Sequence, residues 1–416
     1  MGVGMVRFST GLLVALALVV SADALAANKK KRRPRAASLA PAASVAATDG
    51  LAEARLIDIY RLIGAARNRE ALVLADRLVA DYPNFQLAQL VHGDLLASMV
   101  RPIEAMGDVS SMQARNAAAT LADLRDESVR RVRALRDRPP AGTVPSQFLA
   151  LASRTRHAIA VDASRSRLYL FENSAIGLQL VADYYISVGK LGTSKVAEGD
   201  QRTPLGVYYI TSNLDPKSLK DFYGSGALPI SYPNVLDAKR GKTGSGIWLH
   251  GTPPSQFSRP PQATDGCVVL ANPDLQHIIR TVEVRTTPVV IANELQWVAP
   301  QSTRSASKPF EDTLMGWRNA KAAGNLQQLL SYYTPDFSSN GKTLAQWMPT
   351  LKSEMQQTQG RSIQLKDLSV LRWTDTADTM VVTFGEVADG TRIGWTKRQY
   401  WIRQENQWKI FFEGVI

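Results

Sequence analysis

The sequence predicts a multidomain α+β protein, with an N-terminal α-helical region, a central mostly-β domain and a C-terminal α+β domain. The chain has 416 residues, which is more than one hydrophobic core usually serves. Apolar residues recur at helical spacing from residue 51 to about residue 136, and at strand-like spacing from His157 onward. Beyond a polar stretch near Gln301, two helical patterns precede three or four long strands.

The first 26 residues have the pattern of a secretory signal peptide. Arg7 gives a positive start, residues 11–20 are apolar, and Ala24-Leu25-Ala26 is a small-x-small cleavage site. The apolar stretch from Phe8 to Ala22 is about fifteen residues, whereas a membrane-spanning helix needs ~20. We therefore expect export to the periplasm, in the cell envelope. An uncleaved membrane anchor is the alternative.

Residues 27–50 are predicted to be a basic, Ala/Pro-rich disordered tether. The formal net charge is +12, and half of it comes from six residues of this segment: Lys29, Lys30, Lys31, Arg32, Arg33 and Arg35. No basic stripe interleaved with aromatic residues occurs elsewhere, which argues against nucleic acid as a partner. The charge of the tether suits peripheral contact with membrane or wall polymer, and a solvated linker is the simpler alternative.

Residues 51–140 are predicted to be a helical, tetratricopeptide-like region. Two apolar stripes at helical spacing precede a break at Tyr82-Pro83-Asn84, and a third stripe follows it. One such hairpin cannot bury its own apolar face, so it should pack on a neighbouring domain or form a homodimer. Pro139, Pro140 and Pro145 mark a linker to the next domain.

Residues 155–295 are predicted to form the central domain. The segments HAIAVD, RLYLFEN, LQLVADYYISVGK and VYYITSN read as successive strands. A Gly-rich, lid-like loop then runs from residue 214 to 245, before the strand GIWLH. After CVVL, Asn272 is expected to cap a helix, and residues 287–291 are expected to close the sheet.

Cys267 is the only cysteine, so an internal disulfide is excluded and the thiol is either buried and inert or reactive. Cysteine catalysis needs a base and donors for an oxyanion. His250 ends a strand before Gly251, and Gly266 directly precedes Cys267. A metal site fits poorly, because there is no second cysteine and no histidine pair at ligand spacing, and we expect no cofactor. The other three histidines are not assigned to catalysis: His157 and His277 are interpreted as structural, and His92 as structural or at the surface.

The ordered series of motifs from His157 to Ala292 resembles the L,D-transpeptidase (YkuD-type) family. The motifs are VDASRSRLYLFEN, SVGKLGTSKVAEGDQRTPLGVYYI, IWLHG and TDGCVVL. The resemblance implies an L,D-transpeptidase-type catalytic domain with Cys267 as nucleophile and His250 as general base. It places Thr264 at the family's Ser/Thr position and implies oxyanion support from the backbone N–H groups of Gly266 and Cys267. It also implies peptidoglycan stem peptides as substrates, and acyl transfer through a Cys267 thioester to an amine.

Two positions depart from the pattern of many family members. Asp265 stands where a second histidine is common, and Val269 where an arginine is common. Without that arginine another cation must bind a substrate carboxylate, and Lys190, Lys195 and Arg202 are the candidates, with ordinary surface charge as the simpler interpretation of any one of them. Hydrolysis of the same thioester, an L,D-carboxypeptidase activity, is the alternative function. A catalytically inert wall-binding scaffold is the third.

Residues 310–416 resemble the nuclear-transport-factor-two-like (NTF2-like) α+β cone, through the YYTPDF stretch between helices and the aromatic last strand. Residues 296–309 are predicted to be the linker before it, so a cut near Gln301 should release a domain that folds alone. The tryptophans of the cone either line a pocket or fill its core, and the core is favoured: Trp373, Trp395 and Trp401.

The pairing of His250 with Cys267 makes one electrostatic prediction. An imidazolium next to the thiol favours its charged form and should lower the pKa of Cys267. A buried, unpaired cysteine would have a raised pKa instead.

Overall fold

The computed structural model describes residues 48–108, 112, 116–358, 360–390 and 394–416. The predicted signal peptide lies outside the described residues, as does the tether apart from residues 48–50. None of the described helices is long and apolar enough to cross a membrane.

The N-terminal region is helical, and its apolar faces meet in one core. Its elements are β1 (Thr48–Asp49), α1 (Leu51–Gly64), α2 (Asn68–Asp81), α3 (Gln86–Ser98) and α4 (Ala118–Arg136). The core also contains Phe257 of the central domain, whose ring stacks on Phe85 with 4.2 Å between centroids. The helical region therefore buries its apolar face against the central domain, the first of the two outcomes expected from the sequence.

A buried ion network also joins the helical region to the central domain. Arg131 of α4 donates to Glu53 of α1 at 2.8 Å and to Glu127 at 2.7 Å. From the central domain, Arg167 donates to Glu53 at 2.9 Å and to Asp183. Because buried charges are costly unless they are paired, this network fixes the two regions to each other.

The central domain is mostly β, as predicted. Its strands are β2 (Val144–Pro145), β3 (Phe148–Ala150), β4 (His157–Asp162), β5 (Arg167–Ser174), β6 (Gly177–Tyr185), β7 (Val188–Gly189), β8 (Gly206–Tyr209), β9 (Ala227–Pro229), β10 (Trp248–His250), β11 (Gln262–Thr264), β12 (Val268–Val269), β13 (Pro288–Ala292) and β14 (Trp297–Val298). Two helices, α5 (Val235–Lys239) and α6 (Asn272–Thr281), lie between them. The main sheet has the order β1-β6-β5-β4-β13-β8, and a smaller sheet has the order β12-β10-β9. Strand β13, expected to close the sheet, instead lies inside it between β4 and β8.

The segment 214–245, expected to be a lid-like loop, is only partly irregular. It contains β9, which pairs antiparallel with β10, and α5, which begins with a capping box between Asn234 and Asp237. Residues 214–226 are irregular, with two short 3-10 turns at Pro216–Ser218 and Asp221–Tyr223, and so are residues 240–245. Pairing with β9 therefore fixes one edge of β10, the strand that ends in His250.

The C-terminal domain combines helices with a five-stranded sheet, as the cone resemblance predicts. Its elements are α7 (Pro300–Ala322), α8 (Leu326–Leu330), α9 (Leu344–Thr358), β15 (Ser338–Ser339), β16 (Lys342–Thr343), β17 (Ile363–Thr374), β18 (Asp378–Ala388), β19 (Trp395–Gln404) and β20 (Gln407–Val415). The sheet order is β20-β19-β18-β17-β3. Strand β3 comes early in the central part of the chain, yet it is the edge strand of the cone sheet.

The prediction that residues 296–309 form a linker is wrong. These residues form β14 and the first turns of α7, where Pro300 occupies the first turn and Thr303 and Ser307 are buried. Of the three tryptophans in question, Trp373 and Trp401 are core residues and Trp395 is exposed. The outer face of the cone sheet shares a hydrophobic core with the central domain, so the two domains are packed together rather than loosely joined.

Candidate active site

Two neighbouring strands bring His250 and Cys267 to one place. β10 and β12 pair in parallel, with Leu249 opposite Val268 and His250 opposite Val269. Leu249 and Val268 point into the central core. Because side chains alternate along a strand, His250 and Cys267 lie together on the other face of this sheet. The structure therefore brings together the two residues that the sequence singled out.

The His250 imidazole is buried and held in one orientation. Its Nδ1 lies 2.7 Å from the carbonyl oxygen of Gly251, which can only accept a hydrogen bond. The proton is therefore on Nδ1, and Nε2 keeps a free lone pair. The rings of Phe222 and Tyr223 cover the imidazole, with centroid distances of 5.8 and 5.0 Å. Burial lowers the pKa of His250 to about 4, so at neutral pH the ring is an uncharged base.

The Cys267 thiol is half-buried, and its Sγ lies 3.5 Å from the carbonyl oxygen of Gly246. Burial raises the pKa of Cys267 above its ordinary value, against smaller opposing effects from a backbone hydrogen bond at Trp248 and the charge of Arg259. The expected lowering by an imidazolium is thus wrong for this state. Because His250 is itself desolvated and uncharged, the resting pair is a neutral thiol beside a neutral imidazole.

The turn before Cys267 requires glycine at position 266. Gly266 has φ +123°, and a Cβ there would lie 2.7 Å from the carbonyl oxygen of Arg202. Its N–H donates to Thr264 Oγ1 at 3.1 Å, and that hydroxyl donates to the carbonyl of Cys267 at 2.7 Å. The N–H of Gly266 is therefore occupied, which corrects its expected role as an oxyanion donor. Of the two predicted donors, the N–H of Cys267 is the one left.

The three lysine and arginine residues proposed as carboxylate binders all have partners. Lys190 donates to Asp265, the variant motif residue, at 3.0 Å, and both side chains are exposed. Lys195 is buried and pairs with Asp200 at 2.7 Å. Arg202 donates to the carbonyl of Thr193 at 3.1 Å. Lys190 and Lys195 are therefore neutralised by carboxylates, whereas Arg202 is held by a carbonyl oxygen only.

Arg259, which the sequence reasoning missed, is a buried cation whose charge acts on the thiol. Its side chain stacks over the Phe222 ring, 4.3 Å from the ring centroid, and Tyr185 donates to its carbonyl oxygen at 2.9 Å. Arg259 is only 9% exposed, and among the described residues no carboxylate pairs with it. Its charge acts on Cys267 and on His250. The one signal in the sequence was an arginine followed by Pro260-Pro261, eight residues before the cysteine.

The Asn272 side chain joins two segments at the site. One contains Phe222 and Tyr223, which cover the imidazole, and the other is the loop after His250. Asn272 Oδ1 accepts from the N–H groups of Ser225 at 2.9 Å and Thr252 at 3.2 Å, and its Nδ2 donates to the carbonyl of Thr252 at 2.8 Å. Asn272 is thus not the expected helix cap, since Ala271 holds that position without a side-chain bond. A Cβ on Gly251 would lie 2.0 Å from Asn272 Oδ1, so the Gly after the histidine is required by this contact.

Nothing in the described part of the chain groups three or more metal-ligating side chains. The site is a thiol, a base with a free Nε2, one N–H donor and one buried cation, under an aromatic cover. Such a set suits nucleophilic attack on a carbonyl with proton transfer through the histidine.

Residues 156–291 match the family model for YkuD, the L,D-transpeptidase catalytic domain, and residues 310–414 match the model for the Cds6 C-terminal NTF2-like domain. No curated protein sequence matches the chain significantly.

Two solved structures have a similar fold over about two thirds of the chain. The structure of Bd1075 from Bdellovibrio bacteriovorus is 22% identical, with a TM-score of 0.56 over 66% of this chain and 98% of that one. The helical cell shape determining protein Pgp2 from Campylobacter jejuni is 21% identical, with a TM-score of 0.51 over 67% of this chain and 96% of that one. At these identities the likeness concerns the fold.

Proposed function

Because residues 156–291 form a YkuD-type L,D-transpeptidase catalytic domain and residues 310–414 an NTF2-like domain, we propose that the protein is an exported, periplasmic cysteine L,D-transpeptidase that modifies peptidoglycan. The observation that carries this proposal is the placement of His250 and Cys267 on one sheet face, with the imidazole held so that Nε2 is free. The substrate is the stem peptide, which supplies both the acyl donor and the acceptor amine.

In the proposed reaction, His250 Nε2 takes the proton of the Cys267 thiol, and Sγ attacks the carbonyl carbon before the terminal D-amino acid. The C–S bond forms, and the oxyanion of the tetrahedral intermediate accepts a hydrogen bond from the Cys267 N–H. The intermediate collapses, His250 returns the proton to the leaving amine, and a thioester remains. An amine of a second stem then attacks the thioester, loses a proton to His250 and releases the thiol.

The neutral resting pair is compatible with this mechanism. The pKa of His250 is about 4 and burial raises that of the thiol above its ordinary value, so proton transfer within the resting pair is uphill. The attraction between the thiolate and the imidazolium that the transfer creates lowers this cost. The nearby charge of Arg259 favours the thiolate. His250 is already in the form that accepts a proton.

We propose that Arg259 binds the carboxylate of the donor's terminal D-amino acid. It is a buried cation whose charge acts on Cys267, and no carboxylate pairs with it among the described residues. A guanidinium binds a carboxylate with two parallel hydrogen bonds and so fixes its position. Arg259 thereby takes the role for which Lys190, Lys195 and Arg202 were considered.

The activity is tested by mass spectrometry of stem-peptide fragments after incubation with the purified protein. Cross-linked dimers, together with a thioester adduct on Cys267, are the expected result. The Cys267→Ser variant should give neither while keeping its circular dichroism spectrum, since a hydroxyl is a poor substitute for a thiolate. Unchanged fragments with the wild-type protein would point to an inert scaffold and refute the proposal.

Hydrolysis of the thioester, an L,D-carboxypeptidase activity, is the second candidate. The observation that favours it is the aromatic cover, because Phe222 and Tyr223 lie directly over His250. Such a cover admits water more readily than a bulky acceptor amine. Trimmed stems without cross-links, at any acceptor concentration, would establish this alternative.

The role of Arg259 is tested with two donors that differ only at the C-terminus, a free carboxylate and an amide. Loss of a charge-assisted hydrogen bond costs about 1.5–3 kcal/mol, so Arg259→Gln should lower kcat/KM for the carboxylate donor by roughly 10- to 150-fold. The amide donor should be affected much less. Lys190→Gln removes a cation at the exposed rim and is the matched control. Equal losses on both donors in Arg259→Gln would contradict the assignment.

A further inference from the structure

The hydrogen bonds of the Gly266-Cys267 turn extend beyond the Thr264 hydroxyl. That hydroxyl holds the N–H of Gly266 and the carbonyl of Cys267. The carbonyl oxygen of Gly266 has a partner elsewhere in the chain, the hydroxyl of Thr203, which donates to it at 3.0 Å. Two threonine side chains thus bind three of the four backbone polar groups of this turn. The fourth is the N–H of Cys267, the oxyanion donor of the proposed reaction.

Thr203 lies outside the TDGC motif, between β7 and β8, and its side chain is completely buried. The N–H of Gly189 donates to its hydroxyl at 2.9 Å. Because a carbonyl oxygen can only accept, the one hydroxyl proton of Thr203 is donated to Gly266. The hydroxyl is therefore bound on both sides, which restrains its orientation. The segment that carries it can approach the turn because position 266 has no Cβ, which would lie 2.7 Å from the carbonyl oxygen of Arg202.

The Thr203 bond also determines where the oxyanion donor points. The carbonyl of Gly266 and the N–H of Cys267 belong to one planar peptide group, which is trans. In a trans peptide these two groups point in opposite directions. With the carbonyl bound to Thr203 on one side, the Cys267 N–H points to the other side. Turning the peptide plane would break this buried hydrogen bond, so the donor keeps its direction.

We propose that Thr203 is a positioning residue for acyl transfer, whose hydroxyl holds the Gly266-Cys267 peptide plane so that the Cys267 N–H faces the developing oxyanion. The proposal rests on the proposed function, in which Cys267 is the nucleophile. Thr203 acts through the backbone and not on the thiol itself. A donor that is already oriented stabilises the oxyanion without rearrangement at the moment of reaction, whereas a donor that is free to turn loses part of this effect.

The test compares two reactions of the Cys267 thiol with small reagents, of which only one passes through an oxyanion. p-Nitrophenyl acetate acylates the thiol: the S–C bond forms, and p-nitrophenolate leaves with the electron pair of the broken C–O bond. Iodoacetamide alkylates the thiol by direct displacement of iodide. The same thiolate attacks in both reactions, so a changed thiol pKa cancels in the ratio of acylation to alkylation rates. In the wild-type protein this ratio should exceed that of N-acetylcysteine at least about ten-fold.

Thr203→Val has nearly the same shape but no hydroxyl. Removal of an oxyanion donor costs about 10²–10³ in rate, so loss of its orientation should lower the ratio at least about ten-fold. Thr203→Ala also lacks the hydroxyl, leaves room beside the Gly189 N–H and should give the same fall. Thr203→Ser keeps the hydroxyl and should retain most of the wild-type ratio.

Thr287→Val is the matched control. Thr287 is completely buried in the turn before β13, and its hydroxyl accepts from the N–H of Glu283 at 3.0 Å. This variant should lower the Tm as Thr203→Val does but leave the ratio unchanged.

Three results would overturn the proposal. They are a wild-type ratio no higher than that of N-acetylcysteine, a wild-type ratio in both Thr203→Val and Thr203→Ala, and an equal fall in Thr287→Val. Neither reagent is a stem peptide, so a protein that leaves stem peptides unchanged, which would refute the proposed function, can still give the expected ratios.

Discussion

The aromatic cover over His250 allows its pKa to be changed without replacing either catalytic residue. Phe222 is 47% exposed, so Phe222→Ala removes a covering ring without opening the core. The pKa of about 4 lies below the ordinary ~6.5, a difference worth roughly 3.4 kcal/mol, to which burial contributes most and the charge of Arg259 adds. Phe222 and Tyr223 are the two rings in contact with the imidazole. Removing one of them should raise the pKa from about 4 to about 5.

The assay is the pH titration of the His250 ring signals by NMR, together with the acid limb of kcat/KM. Both should move from about pH 4 to about pH 5 in Phe222→Ala, because the base becomes protonated more easily. Ile176→Ala, at an exposed hairpin position, is the control and should leave both unchanged. An unfolded His250 binds its proton near ~6.5, so the folded protein loses stability as the pH falls from ~6.5 toward 4. That loss should be smaller in Phe222→Ala. A titration midpoint that stays at about 4 would refute burial as the cause.

Three further predictions concern the packing of the domains. Glu53→Gln leaves Arg131 and Arg167 buried without their shared carboxylate. In urea denaturation it should lower the free energy of unfolding by about 3–5 kcal/mol. A loss below about 1 kcal/mol would mean that the network contributes little to stability. Burial raises the pKa of Asp274 to about 7, so the wild-type protein loses stability as the pH rises from ~4 to 7. Asp274→Asn should therefore gain stability over wild type at pH 8 but not at pH 4, and an equal difference at both would exclude this carboxyl as the cause. A fragment that begins at Pro300 lacks β3 and exposes the face packed on the central domain, so it should aggregate in size-exclusion chromatography, whereas a stable monomer would contradict this.

The elements that could be predicted are those whose pattern is local. The strand HAIAVD is β4, and RLYLFEN forms most of β5, because each apolar run ends at a turn that the sequence marks. His250 and Cys267 could each be placed next to a strand for the same reason, but not the pairing of β10 with β12, which links residues distant in the chain. The position of Arg259 could not be predicted, because the irregular loop between His250 and Cys267 has no pattern from which its path can be read. The sequence also could not show that the N–H of Gly266 is occupied. The Thr264 hydroxyl accepts its hydrogen bond, and residue spacing does not predict such a local side-chain bond.

The boundary of the cone was misplaced for a different reason. The stretch QSTRSASKP is polar, which is typical of a linker, but one exposed helix face can be equally polar. Pro300 in the first turn and the buried side chains of Thr303 and Ser307 show that this segment belongs to α7. Strand β3 has only three residues, and its pairing with β17 depends on contacts far apart in the chain.

That distant pairing has a consequence for the order in which the chain can fold. Ala150 of β3 pairs with Val370 of β17, 220 positions later in the chain. While the protein is being synthesised, the whole central domain is made before the partner of β3 exists. Contacts at such separation form slowly, because the loop must close before the pairing can stabilise it. Until then β3 is an unpaired edge that other chains can pair with, so this three-residue strand is where we expect a chaperone to protect the newly made chain.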